Sequence, residues 1–140
     1  ALIARVRDCG DLILLVVDDT AKGRIVGWVS IFRARAEFLQ HTAELGMGVV
    51  PGYRGIGLGT VLIDRSLRWA AGQKIEKIKL GVRAGNERAR ALYEKFGFVE
   101  EGRRVRDIKD QHGHYDDMIE MSFFVSEAPP ASAMGNAGAA

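Results

Sequence analysis

The chain has 140 residues, 47% of them hydrophobic and 27% charged, with a net charge of +2. Those values describe one globular domain, and the interspersed basic and acidic residues exclude a strongly electrostatic nucleic-acid binder. Cys9, the single cysteine, cannot form an internal disulfide and points to a reducing cytoplasm, and no apolar run reaches membrane-spanning length.

Leu12–Val17 is a short apolar run, followed by a turn at Asp18–Gly23 and a second β-rich run at Ile25–Arg33; together they predict a hairpin. Ala43–Val50 predicts a third strand, stopped by Pro51 and Gly52. Leu58, Leu62 and Trp69 then share one helical stripe, with Val61 and Ser66 beside it and Asp64, Arg65 and Arg68 facing away. Gly72 stops that helix, and Ile75–Val82 predicts a fourth strand. Asn86 is placed to cap a second helix, whose Ala89, Leu92, Tyr93 and Phe96 form one apolar face ended by Gly97. Phe98–Lys109 and Tyr115–Val125 predict two further strands around an Asp110–His114 turn. Residues 1–126 read as a single domain, and the Pro/Ala/Gly-rich residues 127–140 are expected to be a disordered tail. This order predicts an α/β (α+β) mixed sheet in which antiparallel hairpins flank a central parallel βαβ pair.

Between the third strand and the first helix lies VPGYRGIGLGTVL (Val50–Leu62). A strand, a Gly-rich turn and a helix start make an anion site. The first helical N–H groups lack intrahelical partners, and glycines remove the Cβ atoms that would hold a phosphate away. Arg54–Thr60 is thus expected to cradle phosphates, with the Arg54 guanidinium and the Thr60 hydroxyl as added donors. The nucleoside-triphosphate loop is excluded because Leu58 stands where its lysine must be. The dinucleotide fingerprint fails at Thr60, where it requires glycine.

The pattern that fits is Arg/Gln-x-x-Gly-x-Gly/Ala, filled by Arg54, Gly57 and Gly59. A second signature, N-x-x-A-x-x-x-Y-x-x-x-G-F, is matched in register by Asn86, Ala89, Tyr93, Gly97 and Phe98. With both motifs, the chain resembles the GCN5-related N-acetyltransferase (GNAT) superfamily from about Leu12 to Val125. The resemblance implies the acyl-CoA N-acyltransferase fold, acetyl-CoA as co-substrate and no metal. It implies transfer of an acetyl group to a primary amine (a small amine, an amino acid or a protein amine) by direct attack in a ternary complex. A non-catalytic acyl-CoA sensor or regulatory module is the alternative.

By the same resemblance, the third and fourth strands splay, and pantetheine binds exposed backbone of Met47, Gly48 and Val49. An N–H near Val49 faces the thioester oxygen. Gly46 and Gly48 suit a bulge or a close ligand approach. Gly55, Ile56, Gly57, Leu58, Gly59 and Thr60 surround the diphosphate with Arg54, while Asn86 and Ala89 lie by the pantetheine arm. Tyr93 is the expected general acid and Glu44 the expected base, with His41 and Asp116 as weaker alternatives. Trp28 and Trp69 read as core or interface residues, and Cys9 as structural. His112 and His114 read as turn residues, without a set of metal ligands around them. Met118–Val125 offers an apolar edge for a homodimer. The family's usual N-terminal strand and two helices, one wall of the acceptor site, are expected to be short or missing, since Ala1–Asp11 has room only for the end of one helix. Gly57→Glu is expected to abolish coenzyme A binding with the fold largely intact.

Overall fold

The computed structural model describes the backbone of residues 2–6 and, with their side chains, residues 11–125; Cys9 and the 127–140 tail lie outside the described residues. The elements are β1 (Leu2–Val6), β2 (Leu12–Asp18), β3 (Arg24–Arg33), β4 (Thr42–Val49), α1 (Leu58–Ala71), β5 (Lys77–Arg83), α2 (Glu87–Lys95), β6 (Val99–Lys109) and β7 (Tyr115–Phe124). They build one seven-stranded sheet in the order β1-β2-β3-β4-β5-β7-β6.

Ala1–Asp11 contains a strand where only the end of a helix was expected. Leu2–Val6 pairs antiparallel with β2, from Leu2↔Val17 to Val6↔Ile13. The segment Leu-Ile-Ala-Arg-Val is too short to hold a helix, and β2 offers it an open edge. The expected dimer edge is corrected too: β7 is an interior strand between β5 and β6, so Met118–Val125 presents no sheet edge.

One face of the sheet holds the core. Register places Leu12, Leu14, Val29, Ile31, Leu45, Ile78, Leu80, Ile119 and Met121 on it, all buried. Helix α1 covers the β2–β4 half with Leu62, Ile63, Ser66 and Ala70. The predicted stripe is therefore rotated by about one position: Ile63 and Ala70 are core residues, while Trp69 is only partly buried and Val61 is exposed. Each fully buried Leu or Ile contributes about 1.5–3 kcal/mol. Helix α2 covers the other half, where Tyr93, Phe98 and Phe123 stack with ring centroids 5.6 and 5.5 Å apart. No helix among the described residues covers the opposite face, where Trp28, Phe32 and Phe124 are exposed.

The feature that positions the site is the β4–β5 pair. It is the one parallel pair among the described residues and runs only from Thr42↔Lys77 to Glu44↔Lys79. Both strands continue beyond that point, β4 to Val49 and β5 to Arg83, without pairing to each other. The sheet therefore splits between them, as the resemblance implied.

Candidate functional site

Helix α1 begins without a side-chain cap. Its N-cap is Gly57, at φ 88°, and no side chain accepts from its first turn. Gly55 is also left-handed, at φ 80°. Two left-handed glycines just before a helix turn successive N–H groups toward one point, and a side chain in either place would be strained. Helix α2 shows the ordinary solution: Asn86 Oδ1 accepts from the Ala89 N–H at 3.2 Å. That bond uses the Asn86 carbonyl oxygen and leaves its amide NH2 available.

The α1 start, the split and α2 enclose an open cleft of about 590 Å³. Its lining includes Met47, Gly48, Val49, Arg54, Gly55, Gly57, Leu58, Gly59, Thr60, Asn86, Ala89 and Tyr93. Ile56 is the predicted cofactor residue that stays out of this lining, and it is 67% exposed. Gly59 serves packing as well, since a Cβ there would meet Leu92 Cδ2 at 3.1 Å.

Strand β4 is free of bulges along its β3 ladder. The Val50 N–H donates to the Val26 carbonyl on β3 at 2.8 Å. Strand alternation then turns the N–H groups of Met47 and Val49 away from β3, toward the split. The Val49 carbonyl faces the same way and accepts from Arg54 Nε at 3.1 Å, which ties the turn to the strand end. Of the two readings for Gly46 and Gly48, a bulge does not occur. Their missing side chains instead admit Trp28 on the opposite face: a Cβ at Gly48 would lie 2.7 Å from the indole Nε1.

Tyr93 lies at the bottom of the cleft, 8% exposed, and burial pushes its phenol above the usual tyrosine pKa. No hydrogen bond to the phenol occurs among the described residues. A buried, protonated, unbonded hydroxyl can donate a proton and cannot act as a base near neutral pH.

Glu44 is not in this cleft. It is exposed on the opposite face, sharing that face with Gly46 and Gly48, and lines a second hollow. Tyr93 and Glu44 therefore meet only through the split. His41 is exposed outside both hollows, its carbonyl accepting from Glu76 and Lys77. Asp116 accepts from the Gly85 N–H at 3.1 Å and lies 3.5 Å from Arg83, so it braces the loop ahead of α2. The Gly85 bond first, then the Asp117 N–H, holds its carboxyl below the usual aspartate range. His112 and His114 are turn residues as expected, their N–H groups bonded to Asp110 Oδ1.

Three features of the cleft escape sequence reasoning. Tyr53 reaches 2.5 Å to Asp18 Oδ2 and pins the turn to the β2–β3 connection. Arg88, in the first turn of α2, reaches the phosphate turn, where a Cβ at Gly55 would lie 3.2 Å from its Nη2. Leu92 packs against Gly59. Only Arg88 had a sequence signal, its place two residues after the Asn86 cap.

The acetyltransferase (GNAT) family model matches residues 2–98. Spermidine N(1)-acetyltransferase of Vibrio cholerae is 32% identical over 113 residues, 80% of this chain and 63% of the relative, so the chain spans less than two thirds of that protein's length. A GNAT-family acetyltransferase from Streptococcus pneumoniae superposes with a TM-score of 0.76 at 28% identity, over 82% of this chain and 67% of that one. The phosphinothricin acetyltransferase of Sinorhizobium meliloti, solved with acetyl-CoA, superposes with a TM-score of 0.74 over 82% of this chain and 61% of its own. At 18% identity that last likeness speaks for the fold alone.

Proposed function

This chain belongs to the acetyltransferase (GNAT) family, and from that premise we propose that it moves an acetyl group from acetyl-CoA to a primary amine by direct attack in a ternary complex. The observation that carries the reading is the uncapped, glycine-turned start of α1 opening onto the split beside β4. Its donor set fits a diphosphate: converging N–H groups, a helix start, and the nearby cations of Arg54 and Arg88. The unpaired β4 edge at Met47–Val49 fits an extended arm bearing amides, which would complete backbone bonds left open by β5.

Acetyl-CoA bound there supplies the activated thioester. The chain's own residues then have three tasks. The Met47 and Val49 N–H groups, aimed into the split, are the candidate donors to the thioester oxygen. Glu44, across the split, takes the proton that an ammonium must lose before its nitrogen attacks. As the C–N bond forms and the C–S bond breaks, the Tyr93 phenol gives its proton to the departing sulfur, and the second proton lost by the acylated nitrogen returns to the phenolate. Burial keeps that proton in place at neutral pH.

Titration calorimetry with coenzyme A, followed by a thiol-release assay across an amine panel, tests the reading. Saturable coenzyme A binding with amine-dependent thiol release is the expected result. Coenzyme A binding with no thiol release in excess of hydrolysis would leave a sensor module instead.

A further inference from the structure

The Gly-rich turn that opens α1 has little packing to hold it in place. From Pro51 to Gly57 every residue except Tyr53 is exposed. A Cβ built on Gly52 or Gly57 would meet nothing within 4 Å, and one on Gly55 would meet only the guanidinium of Arg88. Glycine-rich segments lose the most conformational freedom on being ordered. A site made of backbone N–H groups binds an anion well only when those groups already point at one place.

We propose that Tyr53 is a positioning residue for the cofactor: by donating its phenolic hydrogen to Asp18, it holds the Gly55–Thr60 turn in its diphosphate-binding shape before the cofactor arrives. This assignment rests on the coenzyme A reading of the cleft and adds the contact that sets its affinity.

The bond joins distant parts of the chain. Tyr53 Oη donates to Asp18 Oδ2 at 2.5 Å, across 35 residues of sequence. Among the described residues it is the one side-chain hydrogen bond from residues 50–57 to anything beyond β4 and the turn itself. The others act locally. Arg54 Nε donates to the Val49 carbonyl at 3.1 Å, and the Arg54 N–H donates to the Pro51 carbonyl at 3.3 Å.

The anchor is fixed. Asp18 ends β2, where it pairs with Arg24 on β3. Its Oδ1 accepts from the Thr20 N–H at 3.0 Å and the Thr20 hydroxyl at 2.6 Å, which leaves Oδ2 for Tyr53. A carboxylate held on both oxygens at the end of a paired strand cannot follow a moving turn, so the turn is brought to it. Tyr53 also packs on the core and lines the cleft. Its hydroxyl is committed to Asp18, and that bond, followed by burial, pushes the phenol above the usual tyrosine pKa. Ring and hydroxyl are therefore separable: Tyr53→Phe keeps the packing and removes the tether.

Such a tether leaves a kinetic mark. Where the competent shape of a site is only partly populated, apparent affinity falls by that fraction. The loss falls on association, because a bound diphosphate clamps the turn by itself. Removing a direct contact with the cofactor would speed dissociation instead.

The test is surface plasmon resonance of the immobilised chain with coenzyme A. Tyr53→Phe is expected to weaken binding about tenfold, the low end for one hydrogen bond to a charged group, with dissociation within twofold of the parent. In the background of Asp18→Asn the same substitution should cost less than about threefold. Thr20→Val removes a hydroxyl from Asp18 Oδ1 and leaves the Tyr53 bond. It should lower Tm with coenzyme A affinity within twofold, which separates a lost tether from a general loosening. A Tyr53→Phe affinity within twofold of the parent would overturn the proposal, as would a loss carried by faster dissociation. An equal loss in the Asp18→Asn background, or a Thr20→Val effect on affinity as large as that of Tyr53→Phe, would overturn it too. A parent chain that binds no coenzyme A would overturn the reading of the cleft instead.

Discussion

Thr60→Glu should stabilise the protein while weakening coenzyme A binding, and that opposition isolates the function of the α1 start. Thr60 is the third residue of α1 after the Gly57 N-cap, in a first turn that holds no acidic side chain. A carboxylate there completes an empty helix start and is worth about 0.3–1 kcal/mol. For a domain of this size that is a rise in Tm of roughly 1–5 °C. The same carboxylate would stand about 5 Å from a diphosphate held by that turn. At an effective dielectric of about 20–80, the repulsion is about 1–3 kcal/mol per unit charge, or roughly 5- to 150-fold in Kd. Loss of the Thr60 hydroxyl as a donor adds to it. Thermal unfolding followed by circular dichroism and titration calorimetry at low and high salt read the two effects separately, and high salt should narrow the affinity gap. A stabilised variant with coenzyme A affinity within twofold of the parent would refute the assignment of this turn. Gly57→Glu cannot make the separation that the sequence suggested. A Cβ at Gly57 meets nothing within 4 Å, but its φ of 88° is left-handed, so a side chain costs about 1–2 kcal/mol and the fold suffers together with the binding.

Tyr93→Phe should lower kcat by about 10²–10⁴-fold with coenzyme A affinity within twofold, because the phenol has no hydrogen-bond partner among the described residues to lose. Its Tm should move little, and an unchanged kcat in the thiol-release assay would remove Tyr93 from the reaction. Gly48→Ala should cost about 1–3 kcal/mol by pushing its Cβ into the Trp28 indole, read by urea unfolding and tryptophan fluorescence. In the background of Trp28→Ala the same substitution should cost much less; equal costs in the two backgrounds would contradict the contact. Asp18 has its carboxyl lowered to about 2, first by the Thr20 hydroxyl and next by that of Tyr53. A folded pKa below the unfolded one gives stability that is present above about pH 4 and lost as pH falls toward 2. Asp18→Asn should therefore lower the urea midpoint at pH 7 and converge with the parent near pH 2; a constant difference across that range would show that the carboxylate's charge is not what matters.

Elements with a strong local period were legible in the sequence. Strands β2 to β7 and both helices fall within a residue or two of the alternation, glycine stops and Asn86 cap that announce them. The cleft was legible for a different reason: the residues expected to hold the cofactor sit mostly in two short contiguous motifs, and most of them line one hollow. What stayed hidden depends on distant pairing. Strand β1 exists because β2 offers an edge, and β7 is interior because it inserts between β5 and β6; neither fact has a local pattern. Gly46 and Gly48 suited a bulge or a close ligand approach; Gly48 does line the cleft, and only the β3 register shows that Trp28 fills the side-chain space of both on the opposite face. The Tyr53–Asp18 bond spans 35 residues of chain and likewise has no local signal. Glu44 was placed on the right strand and face, yet only the completed sheet shows that it lies across the split from Tyr93.

The most direct measurement is a crystal structure of this chain with coenzyme A. The account predicts the diphosphate within hydrogen-bond distance of the N–H groups of residues 57–60, with the pantetheine arm in the split against Met47–Val49. A diphosphate bound elsewhere, or an arm that leaves the β4–β5 opening unfilled, would contradict it.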